Sequence, residues 1–287
     1  MIFRQSLRPT LGVAVLLAFV AFPLGRSGSA KEAREAKEAK DAREPQLALP
    51  NARAIVDHFV TAMGGETAFG RVTSIHATGR IEIPQQGISG TADLLTARPN
   101  KSLLVVEIAG IGRIETGYDG KVGWNIDPQS GPMLATGDEL TEMTESSWFD
   151  APLRPSERIR EMATVEKTDF DTHPAYKVKV VYPSGREEFA YFDVETGLDL
   201  GREGKQATRM GSLPSTEIFR DYKLFGDVKQ ATTIVVRVLG IEQVIHIDTC
   251  VYNTVAPNAF DPPPAIKALI KGLMGSGPAW REPGLTP

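Results

Sequence analysis

The sequence predicts an α+β, mainly β protein: a single large curved antiparallel sheet, a half-open barrel, with a few covering helices. Apolar and polar residues alternate with period two in segment after segment between Ser74 and Tyr252. The connections between these segments are too short for parallel crossovers, so neighbouring strands must pair antiparallel. No long helical stretch separates them and no solenoid period recurs, which argues against a doubly wound sheet or a repeat array.

The elements follow in chain order. Residues 1–30 read as a signal peptide: Arg4 and Arg8 precede an uncharged run from Leu11 to Leu24, and Gly28-Ser29-Ala30 supplies small residues for cleavage. The alternative is an inner-membrane anchor through residues 9–25. Residues 31–48 form a charged Ala/Lys/Glu spacer, whose Lys31–Glu44 stretch has five bases, five acids and no apolar side chain larger than alanine. The folded domain spans 49–260. It opens with a helix carrying Ile55, Val56, Phe59, Val60 and Met63 on one stripe, with Asn51 as N-cap and Gly64-Gly65 as its end. Strands are expected over Ile75–Ile83, Ile88–Thr96, Lys101–Ile108, Gly112–Tyr118 and Lys121–Ile126, the last two joined by a tight Asp119-Gly120 hairpin. Pro128–Gly137 reads as a loop and Glu139–Phe149 as a short helix facing the core with Leu140, Met143, Ser147 and Trp148. Strands resume over Tyr176–Tyr182, Glu187–Asp193, Ser215–Tyr222, Ala231–Leu239 and Ile241–Tyr252, making about ten in all. Residues 261–287 comprise a Pro-rich linker, a short amphipathic helix with Ile266, Leu269, Ile270 and Leu273, and a tail.

Composition narrows the function classes. Among 287 residues, 32 bases against 36 acids give −4, and loss of Arg4, Arg8 and Arg26 with the signal moves this to −7. Neither value offers the basic footprint of a nucleic-acid binder, so no nucleic-acid partner is expected. Cys250 is the only thiol, so no intramolecular disulfide can form.

Motifs for chemistry are missing. Gly110-Ile111-Gly112 lacks the third glycine of a dinucleotide fingerprint, and Gly87-Ile88-Ser89-Gly90-Thr91 fails as a nucleophile elbow. His58, His76, His173 and His246 show no metal-ligand spacing. His246, Asp248 and Cys250 share one strand face by simple alternation, but Cys250 would lie roughly 13 Å from His246, beyond a base's reach. No catalytic residue, metal or cofactor is therefore expected. What stands out is apolar sheet surface exceeding what the few helices can cover, which leaves room for a hydrophobic cavity. Its candidate lining residues are Ile75, Ile81, Leu103, Val105, Ile114, Val122, Trp124, Ile126, Trp148, Val178 and Val180.

Several segments are similar to those of bacterial outer-membrane lipoprotein-sorting-like proteins, the LolA/LppX/LprG superfamily. They are the helix ending Met63-Gly64-Gly65, the hairpin Tyr118–Trp124, Pro128 with Gly131-Pro132, the turn from Tyr191-Phe192-Asp193 to Thr196-Gly197-Leu198, and Phe219–Tyr222. The resemblance covers roughly Ala52 to Phe260. It implies a concave apolar face that holds acyl chains beneath helical lids, with an arginine tying lid to sheet; Arg80 and Arg113 stand on strands here, and neither is assigned that role. The expectation is a periplasmic, non-enzymatic carrier or binding protein for a lipid or an acylated lipoprotein, with an inner- or outer-membrane protein loading or receiving cargo. The alternatives are an envelope sensor or scaffold domain that binds a protein, and an enzyme on a hydrophobic substrate.

Overall fold

The computed structural model describes residues 49–153, 155–208 and 211–275. The expected signal, most of the spacer and the end of the tail lie outside the described residues. Five helices are described: α1 (Ala52–Ala62), α2 (Gly65–Gly70), α3 (Gly137–Ser146), α4 (Pro155–Arg158) and α5 (Pro264–Gly275). The first six strands are β1 (Ser74–Ile83), β2 (Ile88–Ala97), β3 (Lys101–Ile108), β4 (Gly112–Tyr118), β5 (Gly123–Asp127) and β6 (Gly131–Leu134). Then come β7 (Glu161–Phe170), β8 (His173–Val181), β9 (Glu187–Asp193), β10 (Asp199–Thr208) and β11 (Gly211–Arg220). The series closes with β12 (Lys223–Phe225), β13 (Val228–Gln230), β14 (Thr233–Val238) and β15 (Ile241–Tyr252).

Thirteen strands make one sheet in the order β6-β5-β4-β3-β2-β1-β15-β14-β11-β10-β9-β8-β7, and β12 pairs with β13 apart from it. Every pairing is antiparallel, from β1–β2 to β14–β15. The sheet is curved and open, as expected, and its two meanders are joined centrally where β15 returns beside β1. Three strands of the large sheet, and the small β12–β13 hairpin, escape the sequence reading. β6 lies in the expected loop, and β7 and β10 carry too many charges and glycines to alternate cleanly.

Inner-face residues form two cores. Ile75, Leu94, Val106, Ile234 and Ile245 meet Phe69, Phe149 and Val228, which are brought in by α2, the segment after α3 and β13. α1 seats Ile55, Val56, Phe59 and Met63 on Val178, Val180, Ala190 and Phe192 of β8 and β9. The Phe59 and Phe192 rings lie 5.5 Å apart, a tilted aromatic pair. Asn51 caps α1 as expected, its side chain accepting from the Arg53 backbone N–H at 2.8 Å. Gly64 ends it at φ +124°, and a side chain there would strike the Asp227 carbonyl on the neighbouring hairpin.

Candidate functional site

The strand register splits nine of the eleven cavity candidates between two faces, a correction to the single face expected. Ile75, Ile81, Ile114, Val178 and Val180 point inward. Leu103, Val105, Trp124 and Ile126 point outward, because Leu103 pairs with Gly117, Gly117 with Trp124, and Glu115 with both Val105 and Ile126. The run Leu103–Val106 is apolar on both faces, so its alternation could not say which side was inner. The outer residues have their own cover: the turn Pro257–Phe260 lies against β3 and α5 against β6, with Phe260 and Ile266 fully buried. Val122 sits in the β4–β5 turn, its carbonyl accepting from the Asp119 N–H. Trp148 is half-buried after α3, with the Arg158 guanidinium 3.5 Å from its ring centre.

Three adjoining spaces lie between α1, α3 and β7–β10. The innermost is an apolar chamber of about 60 Å³, lined by Val56, Phe59, Trp148, Val178, Val180 and Ala190 among others. Tyr182, Glu188, Arg202 and Ser146 line both it and a polar cavity of about 100 Å³ beneath α3. Glu142, Arg186, Lys205 and Ala207 line both that cavity and an outer groove of about 660 Å³ between α3, the β8–β9 turn and β10. The three spaces thus adjoin one another beneath and beside α3, with these shared side chains between them. Of the eleven candidates, Trp148, Val178 and Val180 line the chamber, whereas Ile75, Ile81 and Ile114 pack in the neighbouring core.

Charged side chains on inward strand positions build the polar cavity. Arg202 and Glu217 are register partners on β10 and β11, and Glu188 shares its strand face with Ala190 and Phe192. Arg202 ion-pairs with Asp199 at 3.3 Å and Glu188 at 3.7 Å. Glu188 also accepts from the Tyr182 hydroxyl and from Arg186 at 3.1 Å. The Glu217 side-chain carboxylate makes no hydrogen bond among the described residues. Burial pushes its carboxyl up to about 7 against the opposing pull of Arg202, with Glu188, Asp199 and Glu142 adding like-charge repulsion. Burial likewise raises Asp199 to about 6, opposed by Arg202, and raises Glu142 above the ordinary carboxylate value. The sequence reading passed over these groups because it searched for apolar stripes; the available signal was charge on inward positions.

Arg80 and Arg113 lie on the outer face, ion-paired with Asp248 and with Glu107 and Glu115. The arginines facing α3 are Arg186 and Arg202. A β-bulge at Asp248 separates the histidine and cysteine that alternation had aligned: Cys250 pairs with Ala77 and joins the inner core, while His246 pairs with Arg80 on the outer face. Burial lifts the Cys250 thiol to about 11, the state of an inert core thiol. Among the described residues no cluster of side chains could hold a metal ion, and no helix is long and apolar enough to cross a membrane.

No protein-family model matches the chain, and no curated protein matches it. Solved structures do. A LolA superfamily protein from Nitrosomonas europaea superposes with a TM-score of 0.51 at 12% identity, over 75% of this chain and 99% of that one. An outer membrane lipoprotein-sorting protein domain from Vibrio parahaemolyticus gives 0.50 at 15%, over 77% and 98%. A DUF1329 family protein from Desulfovibrio piger gives 0.52 at 13%, over 73% and 97%. The half-open antiparallel sheet, its inner helices and these superpositions agree: the chain has the LolA-like fold.

Proposed function

We propose that the chain is an exported, periplasmic, non-enzymatic carrier or binding protein for a lipid or lipoprotein acyl group. The observation that carries the reading is the largely apolar chamber on the inner face of the sheet, which adjoins a polar cavity under α3. Burying an acyl chain is worth about 0.8 kcal/mol per methylene, so a carrier needs an enclosed apolar floor and a polar mouth for the attached head. At about 60 Å³ the chamber is smaller than a ligand pocket of roughly 300–1,000 Å³. A bound chain therefore requires a covering helix to lift. α1 is seated by aromatic and aliphatic contacts, whereas α3 meets β8–β10 through polar groups, so α3 is the helix that yields.

Ala190, buried between Val178 and Arg202 on β9, is the position to test. Ala190→Leu fills the chamber with the protein's own side chain. A fluorescent fatty-acyl probe is expected to bind the wild type and to bind this variant about tenfold more weakly, the equivalent of roughly two displaced methylenes. An unchanged circular dichroism spectrum would show that the fold is intact. Equal affinity in the folded variant would remove the chamber from the account.

A further inference from the structure

α3 is attached differently on its two sides. Toward β4–β6 it packs Met143 and Leu140 against Tyr118 and Ala135, an apolar seat. Toward β8–β10 the contacts are carboxylates. Glu142 accepts from the Ala207 backbone N–H, and Glu145 accepts from the Ser184 backbone N–H at 3.0 Å and from Arg186 at 3.2 Å. Glu139, three residues before Glu142, instead ties α3 to β5 on the seated side, accepting from the Asn125 amide at 2.8 Å. Water can replace the carboxylate contacts but not the apolar seat, so β4–β6 is the hinge side and β8–β10 the opening side.

Glu217 lines the same cavity as Glu142, and its carboxylate has no hydrogen bond among the described residues. The charged and titratable groups around the pair come from every neighbouring element. They are Glu139 and Glu145 on α3, Tyr182 after β8, Arg186 before β9, Glu188 on β9, Arg202, Glu203 and Lys205 on β10, Asp199 at its start, and Tyr118 on β4. The carboxylates outnumber the bases. We propose that Glu142 and Glu217 form a proton-binding site that controls the α3 gate: the gate is held shut while the pair carries a proton and is loosened when both carboxylates are charged. This rests on the carrier reading only for what the gate admits.

The sign follows from burial. In the closed form both carboxyls lie above their ordinary values, whereas in an open, solvated form they return to them, so closure takes up protons. Closure is therefore favoured below the ordinary carboxylate range and is lost as pH rises through about 7, the closed-state value for Glu217. Glu142 repels Glu217 directly when both are ionised.

The Ser184 and Ala207 backbone amides donate to α3 carboxylates and report the gate without any ligand. Their hydrogen-exchange protection in the full chain, corrected for intrinsic rate, is expected to fall roughly tenfold between about pH 5.5 and about pH 8. Glu217→Gln and Glu142→Gln, which keep shape and an acceptor oxygen, are expected to flatten that fall. Equal protection at both pH values, or a wild-type fall in both glutamine variants, would overturn the proposal. Binding of the acyl probe is read separately: a chain that shows the fall but binds no probe retires the carrier reading alone. One that binds the probe without the fall retires the gate alone.

Discussion

Arg202→Ala is expected to destabilise the fold by about 3–4 kcal/mol at neutral pH, the lower part of the range for breaking a buried ion pair, because the side chain is 23% exposed. For a domain of this size that is a fall in melting temperature on the order of 10 °C. The cost arises from what remains. Asp199, 1% exposed, keeps only the Gly201 backbone N–H at 3.0 Å, and Glu188 and Glu217 lose the cation between them. Because Asp199 and Glu217 take up protons near 6 and 7, the loss is expected to shrink as pH falls through those values. Melting curves recorded by circular dichroism at about pH 5.5 and about pH 8 check both parts. A loss independent of pH would show that Arg202 acts through packing instead of charge.

Gly117→Ala is expected to have an effect of similar size on the opposite face. Gly117 lies directly beneath Trp124, and a Cβ at 117 would occupy the space of the indole's six-membered ring. Trp124 is 1% exposed, and its Nε1–H donates to Glu115 at 2.9 Å. Displacing the ring unpacks the outer core and leaves the Glu115 carboxylate with Arg113 alone. The expected cost is about 2–4 kcal/mol, from overpacking together with a lost buried hydrogen bond. Tryptophan fluorescence should shift to the red as the indole is displaced toward solvent, and the melting temperature should fall. Acyl-probe binding is expected to persist where the variant remains folded, since Gly117 and Trp124 lie outside the inner chamber.

The outer position of Trp124 marks the limit of what the sequence disclosed. The curved antiparallel sheet was legible because β1, β8 and β15 alternate strongly and because short turns such as Asp119-Gly120 leave antiparallel pairing as the only option. α1 was legible from its stripe and from Asn51 and Gly64. β6 was not, since four residues containing a proline carry too little pattern. β7 and β10 were missed for a related reason: β7 is a charged edge strand, and β10 places Arg202 and Gly204 where an apolar residue would have announced the inner face.

The site was legible only in part. Val178 and Val180 are flanked by Lys177 and Lys179, so their facing could be read locally. Leu103–Val106 offered no such contrast, and assigning its faces required the long-range register through Gly117 and Trp124. The polar cavity required more still. Glu142, Arg186, Arg202 and Glu217 come from four separate parts of the chain, and only folding brings them together. The bulge at Asp248 makes the same point on one strand, where an extra residue turns Cys250 inward against the expected parity.

The central claim is that the inner chamber receives an acyl chain. Native mass spectrometry of the full chain purified from its own host, without detergent, tests it most directly. The account predicts a bound species with the mass of an acylated molecule that is released by organic extraction and is depleted in Ala190→Leu. Ligand-free protein in repeated preparations, with no uptake of the acyl probe at either pH, would contradict it.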